Sequence, residues 1–352
     1  MEIREIDVHD DRELRPFYET LRDAEDYERP GMPTWSQNEC AVMFRRPVPS
    51  QQLTAYCAFE SGAVVGAGFK QLTLQDNTDK AYVHVAVAPA NRGRGIGSAL
   101  AGFLRSSATE DGRTTLLAEA NISFEHREDH AYRRFAERHG YSLANVEVQR
   151  VLSIPVAEDD LAAWEADSAP HHTAYELHTF VGALPKELLE SSCELLNQLV
   201  VDAPTGDMDF EAESMTPREM RLREERFRDQ GRITFTTVAL DQTGSVVAHT
   251  LLVVPAEDPG NVYQFVTMVD RRHRGHRLGL AVKARNLRSL QTAHPDRTRV
   301  ITCNAETNGP MVDINERMGF RPVELLAEFQ LRLAVGSEGE MASPDRAAIV
   351  PA

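Results

Sequence analysis

One pattern written twice constrains this chain more than any other feature. The segment Val85-Ala86-Val87-Ala88-Pro89-Ala90-Asn91-Arg92-Gly93-Arg94-Gly95-Ile96-Gly97 is answered by Thr267-Met268-Val269-Asp270-Arg271-Arg272-His273-Arg274-Gly275-His276-Arg277-Leu278-Gly279, with Arg92 and Arg274, and Gly97 and Gly279, each 182 residues apart. A second marker follows each copy. Gly140 of Arg138-His139-Gly140-Tyr141 lies 43 residues after Gly97, and Gly319 of Arg317-Met318-Gly319-Phe320 lies 40 residues after Gly279. Two markers in the same order at similar spacing define an internal repeat of about 150–160 residues. The expected organisation is a first domain over residues 1–155, a polar linker over 156–173 and a second domain over 174–334. The Gly-, Ser-, Glu- and Pro-rich stretch 335–352 is expected to be a disordered tail.

Each copy has the same internal order. Leu53–Glu60 and Ala63–Leu72 flank Ser61-Gly62 as a hairpin, and Thr234–Leu240 and Val246–Val254 flank Asp241-Gln242-Thr243-Gly244 in the same way. A strand (Ala81–Val87; Val262–Val269) runs into the arginine-glycine turn. Helical spacing follows, as Ile96, Leu100, Phe103 and Leu104 in one copy and Leu280, Ala284, Leu287 and Leu290 in the other. A further strand (Thr115–Ala118; Arg299–Cys303) and helix (Tyr132–Arg138; Met311–Met318) lead to the Gly-aromatic marker and a last strand. The predicted class is mixed α+β: two tandem domains, each a mixed central sheet flanked by helices.

Composition bounds the function. The 38 basic and 54 acidic residues leave a net charge of −16, opposite to the basic face of a nucleic-acid binder. No apolar run approaches the ~18 residues of a membrane span, and Met1-Glu2-Ile3-Arg4-Glu5 has neither the basic start nor the apolar stretch of a secretory signal. Cys40, Cys57, Cys193 and Cys303 form no paired motif, so the expectation is free thiols in a reducing cytoplasm and no metal. No nucleic-acid or membrane partner is expected, and the state is read as monomer or homodimer.

The glycine turn carries the chemistry. A strand that ends in such a turn and opens a helix presents several backbone N–H groups and the positive end of the helix dipole, which together suit a pyrophosphate. Gly93, Gly95 and Gly97 have no Cβ, so a phosphate can come close. Arg92 and Arg94 add fork-like donors. Solvated arginines at an ordinary helix start would explain one such turn, but not the same turn twice among the same flanking elements. The spacing is not the G-x-G-x-x-G of a dinucleotide fold, and no lysine followed by serine or threonine makes a Walker loop.

Arg92-Gly93-Arg94-Gly95-Ile96-Gly97 resembles the acyl-CoA-binding motif of the GNAT superfamily of N-acetyltransferases, Q/R-x-x-G-x-G/A. The resemblance takes in the preceding strand, the following helix and the Gly-aromatic marker. It covers nearly the whole chain as two domains, similar to the tandem acetyltransferases of actinobacteria of the mycothiol synthase kind. It implies two splayed GNAT-like sheets, binding of acetyl-CoA or a related acyl-CoA, and acyl transfer to the amine of a small molecule. It assigns coenzyme contacts to Val85, Val87, Arg92, Gly93, Arg94, Gly95, Ile96, Gly97, Ser98 and Asn121. In the second copy it assigns them to Val269, Arg274, Gly275, His276, Arg277, Leu278, Gly279, Asn304 and Asn308. The second copy departs from the pattern: Arg277 stands where the motif has glycine, and either crowds a pyrophosphate or turns aside. Asn304-Ala305-Glu306-Thr307-Asn308 resembles the family's asparagine-rich segment better than Glu119-Ala120-Asn121 does. Which domain is active stays open.

Acyl transfer needs a neutral amine and a base to take its proton. The base candidates are His84, on the strand before the first loop, and Glu119 and Glu306, after the fifth strand of each copy. The family's acid is often a tyrosine four residues before the marker glycine. Ala136 and Asn315 hold those positions, and Tyr132, one turn before Ala136, is the substitute. His273 and His276 read as phosphate-side donors. Asp207-Met208-Asp209-Phe210 reads as an acidic loop suited to a cationic amine. The missing tyrosines keep open a coenzyme-binding sensor without turnover, and protein acetylation is a third possibility.

Overall fold

The structure is a computed structural model that describes residues 1–333, so the stretch 335–352 lies outside the described residues. The first repeat runs β1 (Glu2–Glu5), α1 (Asp11–Glu25), α2 (Gln37–Arg45), β2 (Gln51–Glu60), β3 (Ala63–Thr73), β4 (Lys80–Ala86), α3 (Ile96–Glu110), β5 (Thr115–Ile122), α4 (Ala131–Arg138) and β6 (Ser142–Ser153). Helix α5 (Glu158–Ser168) links it to the second repeat. That repeat runs β7 (Glu176–Val181), α6 (Leu189–Leu196), α7 (Leu199–Asp202), α8 (Pro217–Asp229), β8 (Ile233–Leu240), β9 (Val246–Val254), β10 (Asn261–Val269), α9 (Leu278–Ala293), β11 (Arg299–Ala305), α10 (Gly309–Arg317) and β12 (Arg321–Arg332). The predicted strands and helices stand within a few residues of these bounds. Helices α1 and α2 of the first repeat and α6 and α7 of the second are the main addition.

Local chemistry explains the boundaries. Asp10 caps α1 by accepting from the Arg12 amide, and Ser36 and Glu39 form a reciprocal capping box on α2. Ser61 and Gly62, both with positive φ, make the tight β2–β3 hairpin turn. On one face of the first sheet, α3 buries Leu104 and Ala108 against Ala81, Val83 and Leu116, and Leu100 against Ala58 and Val65. On the other, α1 and α2 bury Leu14, Phe17, Cys40 and Phe44 against Ala55, Cys57 and Ala67.

All twelve strands form one sheet in the order β1-β2-β3-β4-β5-β12-β6-β11-β10-β9-β8-β7. The last strand of each repeat has changed sides. β12 lies antiparallel to β5 of the first repeat, β6 lies antiparallel to β11 of the second, and β6 and β12 pair at the centre. Each repeat is therefore completed by the other. The loops before α2 and α8 cross the junction in the same sense. Arg29 forms a nearly buried bidentate pair with Glu324 (2.6 and 2.9 Å), and the Gly31 carbonyl accepts from Arg299. From the other side, the Asp207 amide donates to the Ala144 carbonyl, and Met208 packs on Leu117 and Ala144. The predicted acidic loop is thus a strap over the first repeat, in which Asp207 and Asp209 are exposed. Arg232 and Glu39, almost fully buried, join α2 to the second repeat at 2.7 Å.

Candidate active site

Two wedges open in the sheet. β4 and β5 pair in parallel only over Lys80–Tyr82 with Thr115–Leu117, and β10 and β11 only over Asn261–Gln264 with Arg299–Thr302. Beyond those residues the strands part, and each wedge leads to a glycine turn at the start of a helix.

The first turn is open. Gly93 and Gly95 have φ of 76° and 81°, and a Cβ built on either meets nothing within 4 Å. Gly95 is the N-cap of α3 and has no side chain to satisfy the first amides of the helix. Gly97 lies against Phe135 and Val87. Arg92 donates to the Val87 carbonyl at 3.0 Å, and its guanidinium lies over Tyr27 (4.5 Å) and Tyr132 (5.5 Å). Arg94 pairs with Glu60, and Ser98 meets His139 at 3.1 Å. Val85, Val87 and Ile96 pack under the turn. Asn121 sits further along the sheet, accepting from Gln149 at 2.5 Å.

At the second turn the basic side chains are engaged by the chain itself. Arg277 keeps the left-handed conformation at φ 52° that glycine would adopt freely. Its side chain turns aside to Asp167 at the end of α5, and Arg317 reaches the same carboxylate at 2.5 Å, so these guanidiniums hold Asp167 below the usual carboxylate range. Arg274 donates to the Val269 carbonyl as Arg92 does to Val87, but its free end is bound to Asp202, which also pairs with Arg271. His276 faces the His171 carbonyl in the linker and His273 faces Tyr175 just after it, so both histidines are engaged. Gly275 faces open space, whereas Gly279 packs on Ile314. Leu278 and Val269 pack with the core under α9. Asn304 is buried, accepting from Arg150 and Asn315 and donating to the Ala305 carbonyl, while Asn308 caps α10 without a side-chain bond. Asn315 is spent on Lys283, whose burial pushes its ammonium down to about 7.

Of the four candidate catalytic side chains, the structure brings His84 and Glu119 to one face of the sheet and places Tyr132 and Glu306 apart from them. His84 stacks on Phe69 (5.0 Å) and stands 3.6 Å from Glu25 at the end of α1; burial lowers its pKa against the pull of Glu25. Glu119 shares that face of the sheet. It reaches solvent yet is ringed by protein, as a group on a cleft floor is, and burial with Glu147 and Glu25 nearby raises its pKa. Tyr132 lies at the mouth beside Arg92. Glu306 is committed to Arg127 through two hydrogen bonds of 2.7 and 2.9 Å, which lower its pKa.

The sequence reading missed the rest of this cleft. Glu328 of β12 stands directly across from Glu119, and Glu147 of β6 lies one strand beyond, opposite Leu326. Burial, with Glu147 and Glu119 close, pushes Glu328 up to about 7, and burial also raises Glu147. Tyr82 and Cys303 border the group, and both are raised by burial and by these carboxylates. The alternation Glu147-Val148-Gln149 and Ala327-Glu328-Phe329 was the available signal, but it reads as the polar face of any strand.

Residues 51–143 match the family profile of the GNAT acetyltransferase domain. No curated protein matches the sequence. Among solved structures, a tandem GNAT protein from the clavulanic acid biosynthesis pathway is 24% identical, covering 94% of this chain and 98% of its own with a TM-score of 0.75. A GCN5-related N-acetyltransferase from Sphaerobacter thermophilus is 16% identical over 94% and 95% of the two chains, with a TM-score of 0.60. Saccharomyces cerevisiae N-myristoyltransferase with bound myristoyl-CoA is 11% identical over 94% and 80%, with a TM-score of 0.56. The match to the GNAT acetyltransferase domain spans part of the first repeat, and the two repeats together have the fold of the tandem GNAT protein. Among the described residues, no helix is long and apolar enough to cross a membrane.

Proposed function

We propose that the chain is an N-acetyltransferase of the cytoplasm that moves the acetyl group of acetyl-CoA to the amine of a small molecule, using one coenzyme held by the first repeat. The observation that carries this reading is the open glycine turn at the mouth of the β4–β5 wedge, with nothing within 4 Å of the positions a Cβ would take on Gly93 and Gly95. The amides of the turn and of the first residues of α3 suit a pyrophosphate, and Arg92 and Arg94 stand beside them. Bound acetyl-CoA supplies an acyl thioester: the amine nitrogen attacks the carbonyl carbon, the carbon–sulfur bond breaks, and coenzyme A leaves as the thiol once it gains a proton.

The chain's own groups prepare the amine. His84, kept neutral by burial, is the group to accept the ammonium proton, and Glu119 is a second acceptor on the same face. Amides freed where β4 and β5 part polarise the carbonyl in the manner of an oxyanion hole. Ala136 leaves no acid at the family's usual place, so Tyr132 is the hydroxyl that α4 offers. Coenzyme binding without turnover is the second reading, favoured by Ala136. Calorimetric titration of acetyl-CoA is expected to give one site per chain, and a panel of amines is expected to release thiol with acetylated product. Absence of coenzyme binding overturns the reading, and thiol release without any acetylated amine reduces it to hydrolysis.

A further inference from the structure

The exchange of last strands puts a residue of the second repeat into the first repeat's cleft. Glu328 belongs to β12 yet stands beside Glu119 of β5, with Asn145 across from it on β6 and Glu147 diagonally beyond, opposite Leu326. Adjacent strands lie about 4.8 Å apart, so Glu119 and Glu328 are direct neighbours and Glu147 extends them as a diagonal row leading away from the wedge. Carboxylates directly opposite each other repel, and among the described residues nothing basic relieves them. The neighbours that act on their charges are only one another, Glu25, Cys303 and Asn145, whose amide donates to Glu328 at 2.6 Å. Most other carboxylates of the sheet junction have an arginine, as Glu324 has Arg29 and Glu306 has Arg127.

The fold does not require the row. Counting from the marker glycines Gly319 and Gly140, Glu328 corresponds to Gln149 and Glu147 to Leu326. Gln149 pairs with Cys303 as Glu328 pairs with Glu119. The symmetry-related places therefore hold Gln149, Leu326 and Cys303, and the sheet forms equally well there. The charges are confined to the side whose glycine turn is open. Nor do they converge as metal ligands: among the described residues no group of three or more His, Cys, Asp or Glu side chains is arranged to hold a metal ion.

We propose that the second repeat completes the first repeat's acceptor site, with Glu328 as a specificity residue that, beside Glu119 and Glu147, holds a second positive charge of the acceptor, which is a small diamine. This rests on the acetyltransferase reading of the cleft. One amine lies at the wedge beside His84, and the other stays an ammonium about 5–10 Å away, one to two strand spacings along the row.

The test is calorimetric titration of diaminobutane, diaminopentane, butylamine and pentylamine into the full chain saturated with coenzyme A, which permits no turnover. The diamines are expected to bind at least 100-fold more tightly than monoamines of the same chain length. Glu328→Gln is expected to cut that preference at least 10-fold while coenzyme A binding stays unchanged. Gln149→Ala, at the symmetry-related place, is expected to leave the preference unaltered. Equal binding of diamines and monoamines, no diamine binding, or an equal loss for both classes in Glu328→Gln overturns the proposal. Diamine binding without acetylation when acetyl-CoA replaces coenzyme A overturns the acetyltransferase reading and leaves the assignment of Glu328 standing. A destabilised Glu328→Gln protein would overturn it too, since relieving the row is expected to stabilise the fold.

Discussion

The two glycine turns began as one design and now differ in what satisfies their positive charge. Both are preceded by a strand that parts from its parallel neighbour, and in both an arginine caps the carbonyl that ends that strand, Arg92 on Val87 and Arg274 on Val269. At the first, Arg92 lies between two aromatic rings and the glycines face open space. At the second, Asp167 pairs with Arg277 and Arg317, and Asp202 pairs with Arg274 and Arg271, so each arginine of the turn already has a carboxylate partner. An anion arriving at the second turn must displace carboxylates tethered to it, one of them on a side chain only 7% exposed. Keeping an anion site and filling one with the protein's own anion thus need the same scaffold.

The largest expected effect breaks the comparison at its most symmetric point. Gly93 and Gly275 correspond, have φ of 76° and 86°, and both face open space. Tryptophan costs similar backbone strain at either. Gly93→Trp is expected to weaken acetyl-CoA binding at least 100-fold, and Gly275→Trp to leave affinity and stoichiometry unchanged. Calorimetry on the two variants decides it. Loss in Gly275→Trp alone would move the coenzyme to the second repeat.

The second effect concerns stability. Glu39→Ala removes the partner of buried Arg232 and half of the capping box on α2. Breaking a buried pair costs about 3–5 kcal/mol. Because each repeat borrows a strand from the other, the two are expected to melt together in one shifted transition. Two separate transitions would show that the exchanged strands do not couple them.

Much of this asymmetry was legible beforehand, and the rest has a physical reason for hiding. The turns and their flanking strands and helices follow from local spacing, and Arg277 as the departure from pattern follows from the resemblance of the turn to the family motif. Local periodicity carries no information about which strand lies beside which, so the exchange of β6 and β12 left no trace. Glu147 and Glu328 consequently read as outward polar residues of ordinary strands. Asp167 read as part of a polar linker, because its role depends on α5 lying against a turn more than a hundred residues away. His84 and Glu119 were named from their place before and after the turn, whereas Glu306, named on the same logic, is tied to Arg127.

A smaller effect separates the cleft from its symmetry mate through pH. Burial and the neighbouring carboxylates push Glu328 up to about 7 in the folded chain, against an ordinary value of 4.5. Between those values the folded chain keeps a proton that the unfolded chain has released, so this group's contribution to stability falls as pH rises through the window and is spent above it. Glu119 and Glu147, also raised, act in the same direction. Glu328→Gln is therefore expected to melt higher than the parent at pH 8 and level with it at pH 4. A variant that melts lower at pH 8 would mean that Glu328 is stabilised by a partner, against the unrelieved row described above.

The smallest expected effect is the most pointed test of why the second turn is closed. Arg277→Gly restores the family's glycine and relieves the left-handed strain, roughly 1–2 kcal/mol for a non-glycine residue. If the arginine side chain alone kept a pyrophosphate out, this substitution would create a second coenzyme site. Asp202, however, still holds Arg274 and Arg271 in the variant, Asp167 still has Arg317, and the His171 carbonyl still faces His276. The expected result is a slightly raised melting temperature with stoichiometry unchanged at one. A second site of comparable affinity would show that one side chain closes the turn, and that the surrounding carboxylates yield readily to an incoming anion.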